Sequence, residues 1–103
     1  MTIEINSDKN FNVQKSFGKN IKEMLVEDLI RFQEQITKIE VHFSDQNGNK
    51  NGTTDKKCLL EAYLKTIQPI VVTDKSSTYD LALVGATDKL KTTIVSILGE
   101  SKD

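Results

Sequence analysis

The chain has 103 residues and a formal net charge of -1, and 37% of its residues are hydrophobic and 28% charged. These values are typical of one globular domain and argue against a disordered chain or a general nucleic-acid binder, which is usually strongly basic. No apolar run reaches the roughly 18 residues of a membrane span, and the first residues do not resemble a signal peptide. The single cysteine, Cys58, can form no internal disulfide, which fits a reducing compartment. We therefore expect one cytoplasmic domain over residues 1–103, with no membrane segment.

The first third of the chain predicts a strand followed by a helix. In MTIEI, Ile3 and Ile5 alternate with polar residues, which indicates a short strand. From about Val13 to Ile36 the apolar period changes to three or four residues, which predicts one amphipathic helix of about six turns. Its apolar stripe comprises Phe17, Ile21, Leu25, Leu29, Phe32 and Ile36.

Alternation with period two returns in the middle of the chain and predicts three further strands. They cover residues 37–44, 57–65 and 66–75, and Pro69 suits the start of the last one. Since two helices can cover only one face of a small sheet, the alternation also predicts an open, polar second face. The inward positions are Ile39, Val41, Phe43, Cys58, Leu60, Ala62 and Leu64.

The last element is predicted as a helix from about Ser77 to Leu98. Ser77 is a plausible N-cap with Asp80 three residues on, and Gly99 is a typical end. Its apolar stripe comprises Leu83, Thr87, Leu90, Ile94 and Ile97. The resulting order, β-α-β-β-β-α, predicts an α+β fold with two helices on one face of a four-stranded sheet, similar to a double-stranded-RNA-binding domain.

The polar segment SDQNGNKNGTTDKK, residues 44–57, could be a calcium loop, a phosphate loop or a strand connection. An EF-hand counted from Asp45 would need glycine at position 50 and a carboxylate at position 56, and both positions are lysine. A phosphate loop needs Lys after its second glycine, and Thr53 follows Gly52. We therefore predict a metal-free connection between two strands.

Two side chains could carry chemistry, but neither has a specific pattern around it. His42 should lie on the open face beside Glu40 and possibly Glu61 or Tyr63, where a histidine can act as a base or metal ligand. A half-exposed strand residue is the more common case. Cys58 falls at an inward position and is interpreted as a core residue. We therefore predict no catalytic residue, no metal ligand, no cofactor and no enzyme activity.

Basic side chains are the candidates for binding a polyanion. A nearly neutral chain would need them in a local patch, because its bulk charge does not attract phosphates. Solvated surface charge is the alternative interpretation, and the sequence alone leaves it open. The candidate phosphate-binding residues are Lys22, Arg31, Lys56, Lys57, Lys75, Lys89 and Lys91.

Two segments closely resemble a known protein family. Residues 36–73, ITKIEVHFSDQNGNKNGTTDKKCLLEAYLKTIQPIVVT, and residues 85–94, GATDKLKTTI, resemble the short bacterial members of the hibernation-promoting factor and ribosome-associated inhibitor family. Some of these have been called sigma-54 modulation proteins. The most specific parts are VHFSDQNG, DKKCLLEA and DKL, and the resemblance extends over essentially the whole chain.

The resemblance implies the same β-α-β-β-β-α fold and a function that composition does not reveal. Members of this family bind the small ribosomal subunit near the decoding channel, through basic side chains on the helices and nearby loops that contact ribosomal RNA. There they inhibit translation and preserve idle ribosomes under stress or in stationary phase. Lys89 lies in the DKL motif, and Lys56 and Lys57 match a basic pair that opens the third strand. The other basic candidates are carried over only by geometry.

Two functions are therefore expected as alternatives. The first is a monomeric, non-enzymatic protein that binds the small ribosomal subunit through ribosomal RNA and takes no small-molecule substrate. The second is a protein-interaction module of the same fold that binds a protein partner through its open sheet face. Clustering of the basic candidates on one surface would favour the first, and a large apolar patch around Leu59 and Tyr63 would favour the second.

Overall fold

The computed structural model describes residues 1–7, 15–45 and 56–99. The predicted metal-free loop lies mostly outside these residues. The elements are β1 (Thr2–Ser7), α1 (Lys15–Asp28), a short 3-10 helix (Ile30–Phe32), β2 (Ile36–Asp45), β3 (Lys56–Leu64), β4 (Ile70–Ser76) and α2 (Tyr79–Leu98). The predicted order and the α+β class are confirmed.

The strands form one four-stranded sheet in the order β1-β2-β3-β4. β1 runs parallel to β2, because α1 connects them as a crossover, and the other neighbours are antiparallel. Burial alternates along β2 and β3, as period two requires. All the inward positions predicted for these two strands are buried.

Both helices pack on the same face of the sheet. The ring centroid of Phe43 on β2 lies 5.9 Å from that of Phe17 on α1. It lies 5.4 Å from the ring centroid of Tyr79 on α2, and these two rings meet edge to face. The core between the sheet and the helices is continuous, and its largest fully buried side chains include Phe32, Phe43, Leu25, Leu29, Leu60 and Leu90. The opposite face of the sheet is the open one that the alternation predicted.

The first helix is shorter than predicted. α1 ends at Asp28, and a 3-10 turn follows in which the N–H of Phe32 donates to the carbonyl of Leu29 at 2.9 Å. A 3-10 turn repeats every three residues, so Phe32 stays buried although the α-helix has ended. The spacing of the apolar residues therefore could not distinguish the two kinds of helix.

Ile36 belongs to β2 and not to the helix. It pairs with Leu64, whereas Lys38 pairs with Tyr63, so the register shifts by one residue at Thr37. This is a β-bulge, and the Thr37 hydroxyl donates to the carbonyl of Tyr63 at 3.0 Å. The bulge lets Ile36 and Ile39 both face the core although they are an odd number of residues apart.

The second helix begins one residue later than its predicted N-cap implied. Thr78, not Ser77, is the N-cap, and its hydroxyl accepts from the N–H of Leu81 at 3.1 Å. The end at Gly99 is confirmed, with a left-handed φ of 66°. Ile97 was predicted in the buried stripe but is exposed, because in the last turn of α2 the side chains that pack against the core are those of Val95 and Leu98.

Within the parts of the chain that the structure describes, neither helix has the combination of length and apolar character that crossing a membrane requires.

Candidate functional site

The basic candidates do not lie on one surface, so the clustering that would have favoured binding to ribosomal RNA is not found, but the structure brings two pairs of them together. Lys57 on β3 and Lys75 on β4 are direct partners in the antiparallel register, so both point to the open face. Arg31 and Lys91 line one hollow on the helical side of the molecule.

The hollow between the 3-10 helix and α2 has cations at its rim and apolar side chains at its base. Its volume is about 340 Å³, and the Arg31 guanidinium carbon lies 5.0 Å from the centroid of the Phe32 ring. Such a surface can pair a phosphate with the two cations, but Phe32 has no accessible surface and so cannot stack on a base. Its lining residues are Arg31, Phe32, Lys91, Thr92 and Val95.

Lys56 lies at the start of β3, next to the first residue of α2. Its ammonium is 3.3 Å from the Asp45 carboxylate and 6.0 Å from the centroid of the Tyr79 ring. Because an acidic side chain already compensates part of its charge, it is a weaker site for an external phosphate than its sequence position implies. Lys22 is exposed on α1 and adjoins Glu23 and Glu27.

Lys89 holds α2 against the edge strand β4. Its ammonium lies 3.0 Å from a carboxylate oxygen of Asp74 and donates to the carbonyl of Thr73 at 2.8 Å. Gly85 of α2 leaves room for that carboxylate, since a Cβ at this position would stand 2.6 Å from the Asp74 carboxyl carbon. Asp74 was not singled out from the sequence, because its role depends on how β4 packs against α2.

The open face carries the group of polar residues that was expected around His42. The Nε2 atom of His42 lies 3.4 Å from Glu40 Oε1, and Lys38 Nζ lies 2.9 Å from the other oxygen of the same carboxylate. The hydrogen bond from Lys38 is the largest influence on Glu40 and holds its pKa below the usual value. Burial, followed by the charges of Glu40 and Glu61, raises the pKa of Tyr63.

On the described part of the open face, a charged side chain separates the two apolar residues around which a patch was considered. Leu59 and Tyr63 are both half-buried on β3, and Glu61 lies between them on the same face. The Lys38 ammonium lies 5.0 Å from the centroid of the Tyr63 ring and covers part of it. Val71 is 54% exposed on the neighbouring strand.

Cys58 is a core residue with no accessible surface. Burial, together with the nearby charge of Asp74, raises the pKa of its thiol from 9.0 to about 12. The thiolate, which is the nucleophilic form, is therefore suppressed at neutral pH.

No protein-family model matches the chain, and no curated protein is a significant match to it. The structure of a ribosomal subunit interface protein from Coxiella burnetii is similar to it, with a TM-score of 0.71 and 16% identity over 97% of this chain and 100% of that one. The N-terminal domain of Protein Y from Thermus thermophilus is similar with a TM-score of 0.74 and 16% identity, over 94% of this chain and 99% of that one. The chain therefore shares their fold over nearly its whole length, which is consistent with the predicted resemblance to hibernation-promoting factors.

Proposed function

We propose that this protein is a cytoplasmic, non-enzymatic, ribosome-associated protein. It binds the small ribosomal subunit through ribosomal RNA and inhibits translation or preserves idle ribosomes under stress. The observation that carries this proposal is the fold shared, almost from end to end, with a ribosomal subunit interface protein. The sequence motifs VHFSDQNG and DKL point in the same direction.

The basic side chains are the proposed contacts with ribosomal RNA. Arg31 and Lys91 are the strongest pair, because they flank one hollow and can hold neighbouring phosphates. Lys57 and Lys75 form a second pair on the open face. Lys22 and Lys56 contribute at the margins, and Lys89 acts mainly by holding α2 in place.

Co-sedimentation with purified small ribosomal subunits at two salt concentrations tests the proposal. Wild type should pellet with the subunits at low salt and less at high salt, because each neutralised phosphate releases counterions. With few cations involved, the salt dependence should be shallow. If wild type fails to pellet at low salt, ribosome binding is wrong for this protein, and a partner for the open sheet face should be sought instead.

Charge-reversal variants locate the contact surface. Arg31→Glu with Lys91→Glu should abolish pelleting, and Lys57→Glu with Lys75→Glu should weaken it. The matched control is Lys19→Glu with Lys65→Glu, which changes the net charge equally at exposed positions outside the proposed contacts. Equal loss in all three double variants would indicate a general charge effect and refute the proposed contacts.

A further inference from the structure

Three side chains with metal-binding atoms converge in the middle of the open sheet face. One oxygen each of Glu40 and Glu61 and one ring nitrogen of His42 all lie within 4.8 Å of one another. The backbone determines this arrangement. Glu40 and Glu61 are direct partners in the β2–β3 register, and His42 follows Glu40 by two residues and so shares its face.

Two carboxylates directly opposite each other in a sheet repel, so their position needs a compensating positive charge. Lys38 supplies part of it, but at only one oxygen of Glu40, where the separation is 2.9 Å. The second oxygen of Glu40 faces the His42 ring at 3.4 Å. The space bounded by that oxygen, the imidazole and Glu61 is where a small cation would meet all three groups.

Although the sequence alone predicted no metal ligand, we propose that Glu40, His42 and Glu61 bind a Zn²⁺ ion on the open face of the sheet. Zinc takes nitrogen at about 2.0–2.1 Å and carboxylate oxygen at about 2.0–2.2 Å, so ligand atoms of a tetrahedral site lie roughly 3.4 Å apart. The His42 and Glu40 atoms already have this separation, and the Glu61 oxygen, which lies within 4.8 Å of both, would close the remaining distance by rotation of its side chain. The fourth position faces solvent and takes water.

The ligand set selects the kind of ion. Imidazole nitrogen suits zinc and neighbouring transition metals, whereas Mg²⁺ and Ca²⁺ take oxygen ligands almost exclusively. The proposed carboxylate ligands also have polar neighbours that do not bind the metal themselves. Lys38 holds the non-ligating oxygen of Glu40 at 2.9 Å. Tyr63 is the next residue but one after Glu61 on the same face, and burial, together with the charges of Glu40 and Glu61, raises its pKa. Such partners orient the ligands and keep the carboxylates in place.

Titration of the full chain with Zn²⁺ alone tests the site, with binding followed by calorimetry and by the NMR signals of the imidazole ring. The chain contains one histidine, so those signals belong to His42. We expect saturation at one equivalent, with a shift of the ring signals that Mg²⁺ does not reproduce. Ring signals that stay unshifted by Zn²⁺ would overturn the proposal.

Two substitutions with a matched control separate this site from adventitious binding. His42→Asn and Glu61→Gln should each weaken Zn²⁺ binding at least about tenfold, since even the loss of an outer partner costs roughly 10–100-fold. Glu23→Gln makes the same carboxylate-to-amide change on exposed α1 and should leave the affinity unchanged. Thermal melts verify that each variant is folded. Equal affinity of Glu61→Gln and wild type would refute the three-ligand site.

Discussion

The carboxylate of Asp74 on β4 lies between two residues of α2: Lys89, which pairs with it at 3.0 Å, and Gly85, whose missing side chain makes room for it. Asp74 is also the direct cross-strand partner of the buried Cys58. Asp74 therefore connects the pairing of β3 with β4 to the position of α2 on the sheet.

Lys89→Glu should destabilise the fold by about 1 kcal/mol. It removes an exposed ion pair worth roughly 0.2–1 kcal/mol and places a carboxylate next to Asp74. Denaturant unfolding measures the effect. The control, Lys65→Glu, makes the same charge change at an exposed position and should stay within about 0.5 kcal/mol of wild type. If the two variants were equally stable, the Asp74–Lys89 pair would contribute nothing to folding.

Gly85→Ala should be destabilising by about 1 kcal/mol in the wild-type protein. Alanine favours a helix by about 1 kcal/mol over glycine, but the new methyl group must displace the Asp74 carboxylate, and overpacking typically costs about 1–3 kcal/mol.

A double-mutant cycle isolates this clash. In an Asp74→Ala background the carboxylate is absent, so Gly85→Ala should no longer destabilise and should recover part of the helix preference. The free energies of unfolding of the four proteins give the coupling between the two positions. The same cost in both backgrounds would show that the clash with Asp74 is not its cause.

Leu60→Ala should cost about 2–5 kcal/mol, because Leu60 is fully buried and its truncation leaves a cavity. The adjacent Leu59 provides a matched control, since it is the same residue type on the same strand but half-buried on the open face. Leu59→Ala should therefore cost clearly less. Chemical denaturation compares the two, and a larger effect at Leu59 would reverse the assignment of the two faces.

Cys58 should make stability decrease at alkaline pH. Its pKa is raised from 9.0 to about 12, so between these values the folded protein retains a proton that the unfolded chain has released. Stability from this group is complete below pH 9 and falls by at most about 1.4 kcal/mol per pH unit above it.

The measurement is the difference in unfolding free energy between wild type and Cys58→Ala at pH 8 and pH 10. Lysines and tyrosines titrate in both proteins, so their contribution cancels to first order. Wild type should lose more stability than Cys58→Ala over this interval. A parallel decline would mean that the thiol ionises as easily in the folded protein as in the unfolded chain.

The strands were predictable to within a few residues because alternation records which face of the sheet each side chain occupies. Ile39, Val41 and Phe43 are all buried, as expected. The end of α1 was not predictable from the same kind of pattern. The 3-10 turn places Phe32 at a spacing that also fits an α-helix. Ile36 happens to continue that spacing, although it belongs to β2 and precedes the bulge.

The arrangement of the site was harder to predict than its composition. The sequence contains the basic residues, but whether each is available depends on contacts between distant segments. Lys89 meets Asp74 only because α2 lies along β4, and Lys57 meets Lys75 only through the β3–β4 register. Periodicity within one element carries no information about such pairings.

The bulge at Thr37 also determines where the chain could tolerate a change in length. If Thr37 were deleted, Ile36 would still stand opposite Leu64, and alternation would run unbroken into Ile39. The loss would be limited to one side-chain hydrogen bond to Tyr63. A deletion within β2 from Ile39 onward would instead turn the strand residues on one side of the gap to the wrong face. Relatives in which this strand is one residue shorter should therefore carry the gap at the position of Thr37, near the start of the strand.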